Sequence, residues 1–176
     1  MRSSNFAYID GANLHLTYEY LDWKLDYAKL RKYLAKKLDV DYAYYFIGGT
    51  TESSEICKNL ESYGYTVKLK KPSLYLTEEE DCPYCKKVIA PEMSRHKSDC
   101  DSFVTQQVMS DLSLCDKAVL ITSDGDFDNL VEMLLRKDKL KMVFAPCKDG
   151  CSGLLISAAR GRIAFIDDFR SELEKI

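Results

Sequence analysis

Nowhere among the 176 residues is there an uninterrupted apolar run near 18 residues, so the sequence offers no ordinary transmembrane helix. The opening MRSSNFAYID lacks the charged-then-apolar pattern of a secretory signal, and a cytoplasmic protein with no membrane partner is expected. Internal repeats and low-complexity tracts are also missing. What is left is an ordinary globular composition, 46% hydrophobic and 30% charged, long enough for one domain over residues 1–176 to bury a core without staples. Seven cysteines make an odd number without a secretory signal, which argues for reduced thiols or metal ligands over a disulfide framework. A large charge of one sign is absent as well, the net being −3. If Asp10, Asp101, Asp124, Asp126 and Asp128 gathered around metal ions, the remainder would carry +2, so a phosphate-bearing partner is not excluded.

What is present alternates. NFAYID (5–10) reads as a buried strand ending in an Asp-Gly turn. LDYAKLRKYLAKKL (25–38) has apolar residues at 27, 30, 34 and 38, a helical period with a basic outer face. A strand over 40–49, a helix over 53–64 and a strand over 65–71 follow. Proline is scarce, and three of its four copies (Pro72, Pro83, Pro91) interrupt the next stretch, so residues 72–100 read as an insertion. Order resumes with helices over 101–114, 125–138 and 152–161 and strands over 117–124, 140–146 and 162–167. Strands alternating with helices predict a mainly parallel central sheet between two helical layers, an α/β/α sandwich.

Ligands of such sheets bind beyond the carboxyl ends of the strands, where the strand order reverses. Asp10 ends the first strand, Asp124 ends KAVLITSD, Asp126 opens the next helix, and Asp101 opens a helix returning from the same edge. Any one of these acids is most simply a turn or cap residue. Four at one rim repel one another unless a cation sits among them, and oxygen-only donors suit Mg²⁺ or Mn²⁺. Other acid motifs fit less well. DGDFD has the start of a calcium loop but places Asn129 and Leu135 where Gly and Glu are required. Ala12 stands where an aspartyl-phosphate enzyme needs a second Asp, and a toprim domain wants Glu in place of Asp10.

YIDGANLH (8–15), K-x-x-x-D (97–101) and LITSDGDFDNLVEML (120–134) together resemble the NYN domain family of PIN-like nucleases, in order and spacing across residues 5–167. The resemblance implies a PIN-like three-layer α/β/α sandwich and metal-dependent endonucleolytic cleavage of RNA. It carries the family's acids onto Asp10, Asp101, Asp124 and Asp126 and its Asn onto Asn13. Ser98 follows Lys97 where the family has Lys-Gly, so the middle acid lies between Asp99 and Asp101; the helix continuing directly from Asp101 favours the latter. These acids would hold one or two Mg²⁺ or Mn²⁺ ions, two standing roughly 3.5–4 Å apart. Asn13 would orient water or a phosphate oxygen, and Thr122 and Ser123 would donate to a carboxylate or a phosphate. His15 is expected to be an exposed residue without a role.

CPYC (82–85) matches a glutaredoxin tetrapeptide, but it sits mid-chain and the three preceding glutamates would raise a thiol pKa, which argues against a redox role. The spacing Cys82-x2-Cys85-x10-His96-x3-Cys100 instead suits a closed, structural Zn²⁺ site that would hold the insertion and present Arg95 and Lys97 as phosphate contacts. Cys57, Cys115, Cys147 and Cys151 read as buried thiols. Lys68, Lys70, Lys71, Lys86 and Lys87, with Tyr75 and Tyr84 among them, suit single-stranded RNA, although scattered lysines more often mark a solvated face. The oligomeric state is left between monomer and homodimer. Two rival functions remain, a non-catalytic RNA- or protein-binding module and a toprim-like phosphotransfer domain acting on DNA.

Overall fold

A computed structural model describes residues 4–16, 21–48, 55–71, 73–77, 80–81, 84–85, 88–90, 93–97 and 100–175; between 73 and 97 side chains are described only for Tyr84 and Cys85. The elements run β1 (Asn5–Asp10), α1 (Gly11–Leu16), α2 (Tyr27–Leu38), β2 (Val40–Gly48), α3 (Glu55–Ser62), β3 (Thr66–Lys70), β4 (Ser73–Thr77), β5 (Glu80–Asp81), β6 (Val88–Ala90), β7 (Met93–Lys97), α4 (Asp101–Asp111), β8 (Ala118–Ile121), α5 (Asp128–Arg136), β9 (Leu140–Ala145), α6 (Gly153–Ala159), β10 (Ile163–Phe165) and α7 (Arg170–Leu173). Short 3-10 turns precede α5 at Gly125–Phe127 and α7 at Ile166–Phe169.

Six parallel strands form one sheet in the order β10-β9-β8-β1-β2-β3. β1 and β8 are its centre, and every residue of both is buried, which is why NFAYID and AVLI are near-continuous apolar runs rather than alternating ones. The chain builds outward from β1 through β2 and β3, then returns to the other side of β1 with β8, β9 and β10. The order therefore reverses between β1 and β8, the position where such sheets bind ligands.

Two cores flank the sheet. Leu14 of α1, Leu30 and Leu34 of α2, Leu60 of α3 and Leu173 of α7 pack with Ala7, Ile9, Ala43 and Tyr45 on one face. Val104 and Val108 of α4, Leu130, Val131 and Leu134 of α5 and Leu155 of α6 pack with Tyr8, Phe46 and Leu120 on the other. The arrangement is the three-layer α/β/α sandwich expected of a PIN-like fold. α2 starts where Asp26 accepts from the Lys29 amide at 3.0 Å and ends at Asp39, which adopts a left-handed conformation with φ 54°.

Two features differ from the sequence reading. Residues 72–100 are not merely irregular: Ser73–Thr77 pairs antiparallel with Met93–Lys97, and Glu80–Asp81 with Val88–Ala90, apart from the main sheet. The chain's end also does more than finish a strand. Leu25 bridges Glu174, the Asp26 amide donates to Leu173 O at 2.8 Å, and the Trp23 indole donates to Asp167 Oδ1 at 2.7 Å. The residues before α2 and after β10 thereby close on one another. No local periodicity announces such a closure, because its partners lie about as far apart as the chain allows.

Candidate active site

Asp10 is the last residue of β1, and register pairs Ile9 with Ile121, so Thr122 stands level with Asp10 on the neighbouring strand. Thr122 is buried, and its hydroxyl donates to Asp10 Oδ2 at 3.5 Å while accepting the Asp124 amide at 3.1 Å. That hydroxyl braces two acids, and its donation to Asp10 is the carboxylate contact of the two expected for it. The Asn13 amide donates to Asp10 Oδ1 at 3.1 Å. Asn13 Oδ1 in turn receives the Ser123 backbone amide at 2.9 Å and the Ser123 hydroxyl at 2.6 Å. Asn13 and Ser123 thus lock α1 to the loop after β8.

Three of the expected acids converge. Carboxylate oxygens of Asp101, Asp124 and Asp126 lie within 4.8 Å of one another. Asp101 arrives on the first turn of α4; Asp124 follows β8 and caps the next turn by accepting the Asp126 amide at 3.0 Å. Asp10 is buried behind this triad. Burial pushes its carboxyl above the ordinary carboxylate range, and the charge of Asp124 pushes the same way, against the amides of Asn13 and Ala12 and the Thr122 hydroxyl. Of the two candidates for the middle acid, Asp101 is in this cluster, and Asp99 lies outside the described residues. Asp128, counted with the acids from its spacing, stays on its own helix and accepts from the backbone and side-chain amides of Asn129.

The donors suit a hard divalent cation. All three are carboxylates, two half-buried and one exposed, so waters can complete the shell as Mg²⁺ or Mn²⁺ requires. Lys70, at the end of β3, donates to the Ser102 hydroxyl at 3.3 Å and so places an ammonium beside the helix turn that begins with Asp101. Its position at a strand's carboxyl end was the available signal.

The described cysteines do not cluster. Cys100 is buried in the core beneath α4, Cys85 is exposed, and among the described residues no group of three or more metal-ligating side chains contains a cysteine. Cys100 packs with Val104 and Val108. Cys82 and the side chain of His96 lie outside the described residues, as do those of Arg95 and Lys97, whose backbones sit on β7 opposite Tyr75 and Ser73. Cys57, Cys115 and Cys147 are buried as expected, whereas Cys151 is only half-buried. No helix among the described residues is long and apolar enough to cross a membrane.

A cavity of about 570 Å³ lies against α1 on the α2–α3 side of the sheet, floored by Tyr45 and walled by Gly11, Asn59 and Tyr63. His15 is exposed on its rim. The sequence reading did not find this cavity, because its walls come from five separate segments.

The sequence pattern described as the NYN domain matches residues 7–167. The chain is 25% identical to the low amplitude and bright protein LabA of Synechococcus elongatus over 179 aligned positions, covering 99% of this chain and 90% of that protein. Its fold is similar to the crystal structure of a protein of unknown function from Vibrio parahaemolyticus, with a TM-score of 0.70 and 22% identity over 98% of this chain and 97% of the other.

Proposed function

The chain belongs to the NYN domain family, and from that premise we propose that it is a metal-dependent endoribonuclease that hydrolyses phosphodiester bonds of single-stranded RNA. The observation that carries this reading is the carboxylate triad of Asp101, Asp124 and Asp126 at the switch point of a parallel sheet, with buried Asp10 behind it. A Mg²⁺ or Mn²⁺ ion held there would supply positive charge to the phosphate and acidify an attacking water. The protein's own contribution is position. Asp101 enters on a helix, whereas Asp124 and Asp126 enter on a capped turn, so the three oxygens keep their spacing without reorganisation. Thr122 and Asn13 hold Asp10 from either side, and Ser123 ties the loop to α1. Lys70 provides a cation beside the triad for a non-bridging phosphate oxygen, a role that Arg95 and Lys97 would share from the insertion.

Zinc at Cys82, Cys85, His96 and Cys100 rests on spacing alone, and elemental analysis of the purified chain tests it: one zinc per chain is expected, and none refutes it. The nuclease reading is tested with end-labelled single-stranded RNA and DNA of one sequence, in EDTA and then in Mg²⁺ or Mn²⁺. Cleavage of RNA only with metal, lost in Asp124→Asn, is the expected outcome. Binding of RNA without cleavage under any of these conditions would favour a non-catalytic module instead.

A further inference from the structure

The cavity beside α1 has a composition that the acid triad does not explain. Its floor is the Tyr45 ring, fixed edge-on by Tyr27 and Tyr65, each with its ring centroid 5.9 Å away. One wall is a stripe along α3 and the turn that follows it. Ile56, Asn59, Leu60 and Tyr63 recur at helical spacing, yet only Leu60 is sunk in the core, while Ile56 is 59% and Tyr63 44% exposed. Half the stripe therefore faces the cavity instead of the sheet. Polar groups are few: Asn59 offers an amide with donors and an acceptor, His15 stands on the rim, and Lys175 adds a cation to the lining. At about 570 Å³, the space lies within the range of small-molecule sites, with their aromatic lining and few polar groups.

The opposite wall is Gly11, the residue directly after Asp10. A Cβ there would overlap the Phe46 carbonyl oxygen and the Tyr45 ring, so β2 approaches to within one backbone thickness of the acid's own strand end. Gly11, Ala12 and His15 of α1 line the cavity, while Asn13 of the same helix bonds to Ser123, the residue before Asp124 of the triad.

We propose that this cavity receives a nucleobase of the RNA strand, a nucleotide flanking the phosphodiester held at the acid triad. The inference rests on the nuclease reading and adds a place where base identity is read. Tyr63, the exposed ring, supplies the π-face on which a base stacks above the buried Tyr45 floor, Ile56 covers its edge, and Asn59 meets the polar edge that distinguishes one base from another. Lys175, in the same lining, meets a phosphate of the strand's backbone.

The test uses the full chain and two readouts. In EDTA, where no cleavage occurs, the four ribonucleoside 5′-monophosphates are titrated while amide NMR shifts are followed. Shifts gathering at Gly11, Gly48, Asn59 and Tyr63 are expected, with one base preferred. Tyr63→Ala should weaken that binding about tenfold, the order of one lost stacking contact, and Tyr63→Phe should restore it; Asn59→Ala should flatten the preference among bases. With Mn²⁺ and RNA, Tyr63→Ala should raise KM about tenfold and alter the cleavage pattern. If RNA is not cleaved but monophosphates still bind in a Tyr63-dependent way, the cavity assignment stands while the nuclease reading falls. If RNA is cleaved and Tyr63→Ala and Asn59→Ala match the wild type in both KM and cleavage pattern, the cavity assignment is overturned. Shifts confined to other residues, or capture of a peptide ligand with no response to any monophosphate, overturn it as well.

Discussion

Replacing Asp126 with Asn removes one of three carboxylates whose oxygens lie within 4.8 Å of one another. Two unit charges at that separation repel by about 1 kcal/mol in bulk water, and by several times that where water is excluded. Asp126 is exposed, and Asp101 and Asp124 are half-buried, so the water-like end of the range applies. Two repelling pairs vanish, for ~2 kcal/mol before salt screening and side-chain relaxation, and a net gain of ~1 kcal/mol remains. The substitution costs little locally, because the cap runs from the backbone amide of residue 126 to Asp124 Oδ1 and survives the change. In EDTA the variant should therefore melt roughly 2–4 °C above the wild type, the shift that ~1 kcal/mol makes in a chain of this size. With Mn²⁺ the order reverses. A ligand at a hundred times its Kd stabilises the native state by about 2.7 kcal/mol, and only the intact triad should gain it. Calorimetry in EDTA followed by a Mn²⁺ titration reads both signs. Asp128→Asn is the control, since Asp128 stays on its own helix and its loss should leave the metal response intact. A variant that melts below the wild type in EDTA, or a Mn²⁺ response equal in Asp126→Asn and wild type, would refute the charge argument.

Asp10 gives a pH-dependent counterpart. Burial, joined by the Asp124 charge, raises its carboxyl pKa in the folded chain. The folded state then keeps a proton that the unfolded chain has released, so stability falls as pH rises from the ordinary carboxylate value through the raised one. Asp10→Asn should be more resistant to urea than the metal-free wild type at pH 7 and lose that advantage below about pH 4; an advantage that does not vary with pH would assign it to something other than ionisation. Gly11→Ala should lower stability by ~1–3 kcal/mol, the usual cost of overpacking, because the added methyl meets the Phe46 carbonyl and the Tyr45 ring; an unchanged urea midpoint would mean that no close approach exists there. Asp167→Ala removes the partner of the Trp23 indole and should cost ~1 kcal/mol. As Trp23 is the chain's one tryptophan, its emission should shift to the red, and an unmoved spectrum would show that the bond does not hold the two ends together.

Much of the fold can be read along the chain because its elements carry their own signals. Leu30 and Leu34 mark α2 by their spacing, and the unbroken apolar runs of β1 and β8 mark strands covered on both faces. The sequence reading runs one helix over 125–138, whereas the structure begins it with a separate 3-10 turn, because Asp124 caps at Asp126 and α5 starts only at Asp128. The β5–β6 pair of the insertion was not legible, since its strands are two and three residues long, too short to show a period. The closure of Trp23 onto Asp167 was equally hidden.

At the site, the sequence alone determined which acids follow which strands, and parallel-sheet geometry makes all such strand ends share one edge. Thus the gathering of Asp101, Asp124 and Asp126 was accessible from order and spacing. Only the tertiary structure decided how those neighbours divide the work. Asp10, Asp124 and Asp128 look alike in one dimension, yet one is buried behind the triad, one belongs to it and one stays on its own helix. Thr122 and Asn13 likewise carry groups that suit several partners, and only the fold brings them to Asp10 and Ser123. The physical reason is that burial and hydrogen-bond partners depend on directions in space. A side chain at a strand end can point to a helix, a neighbouring strand or solvent, and packing from residues more than a hundred positions away settles which.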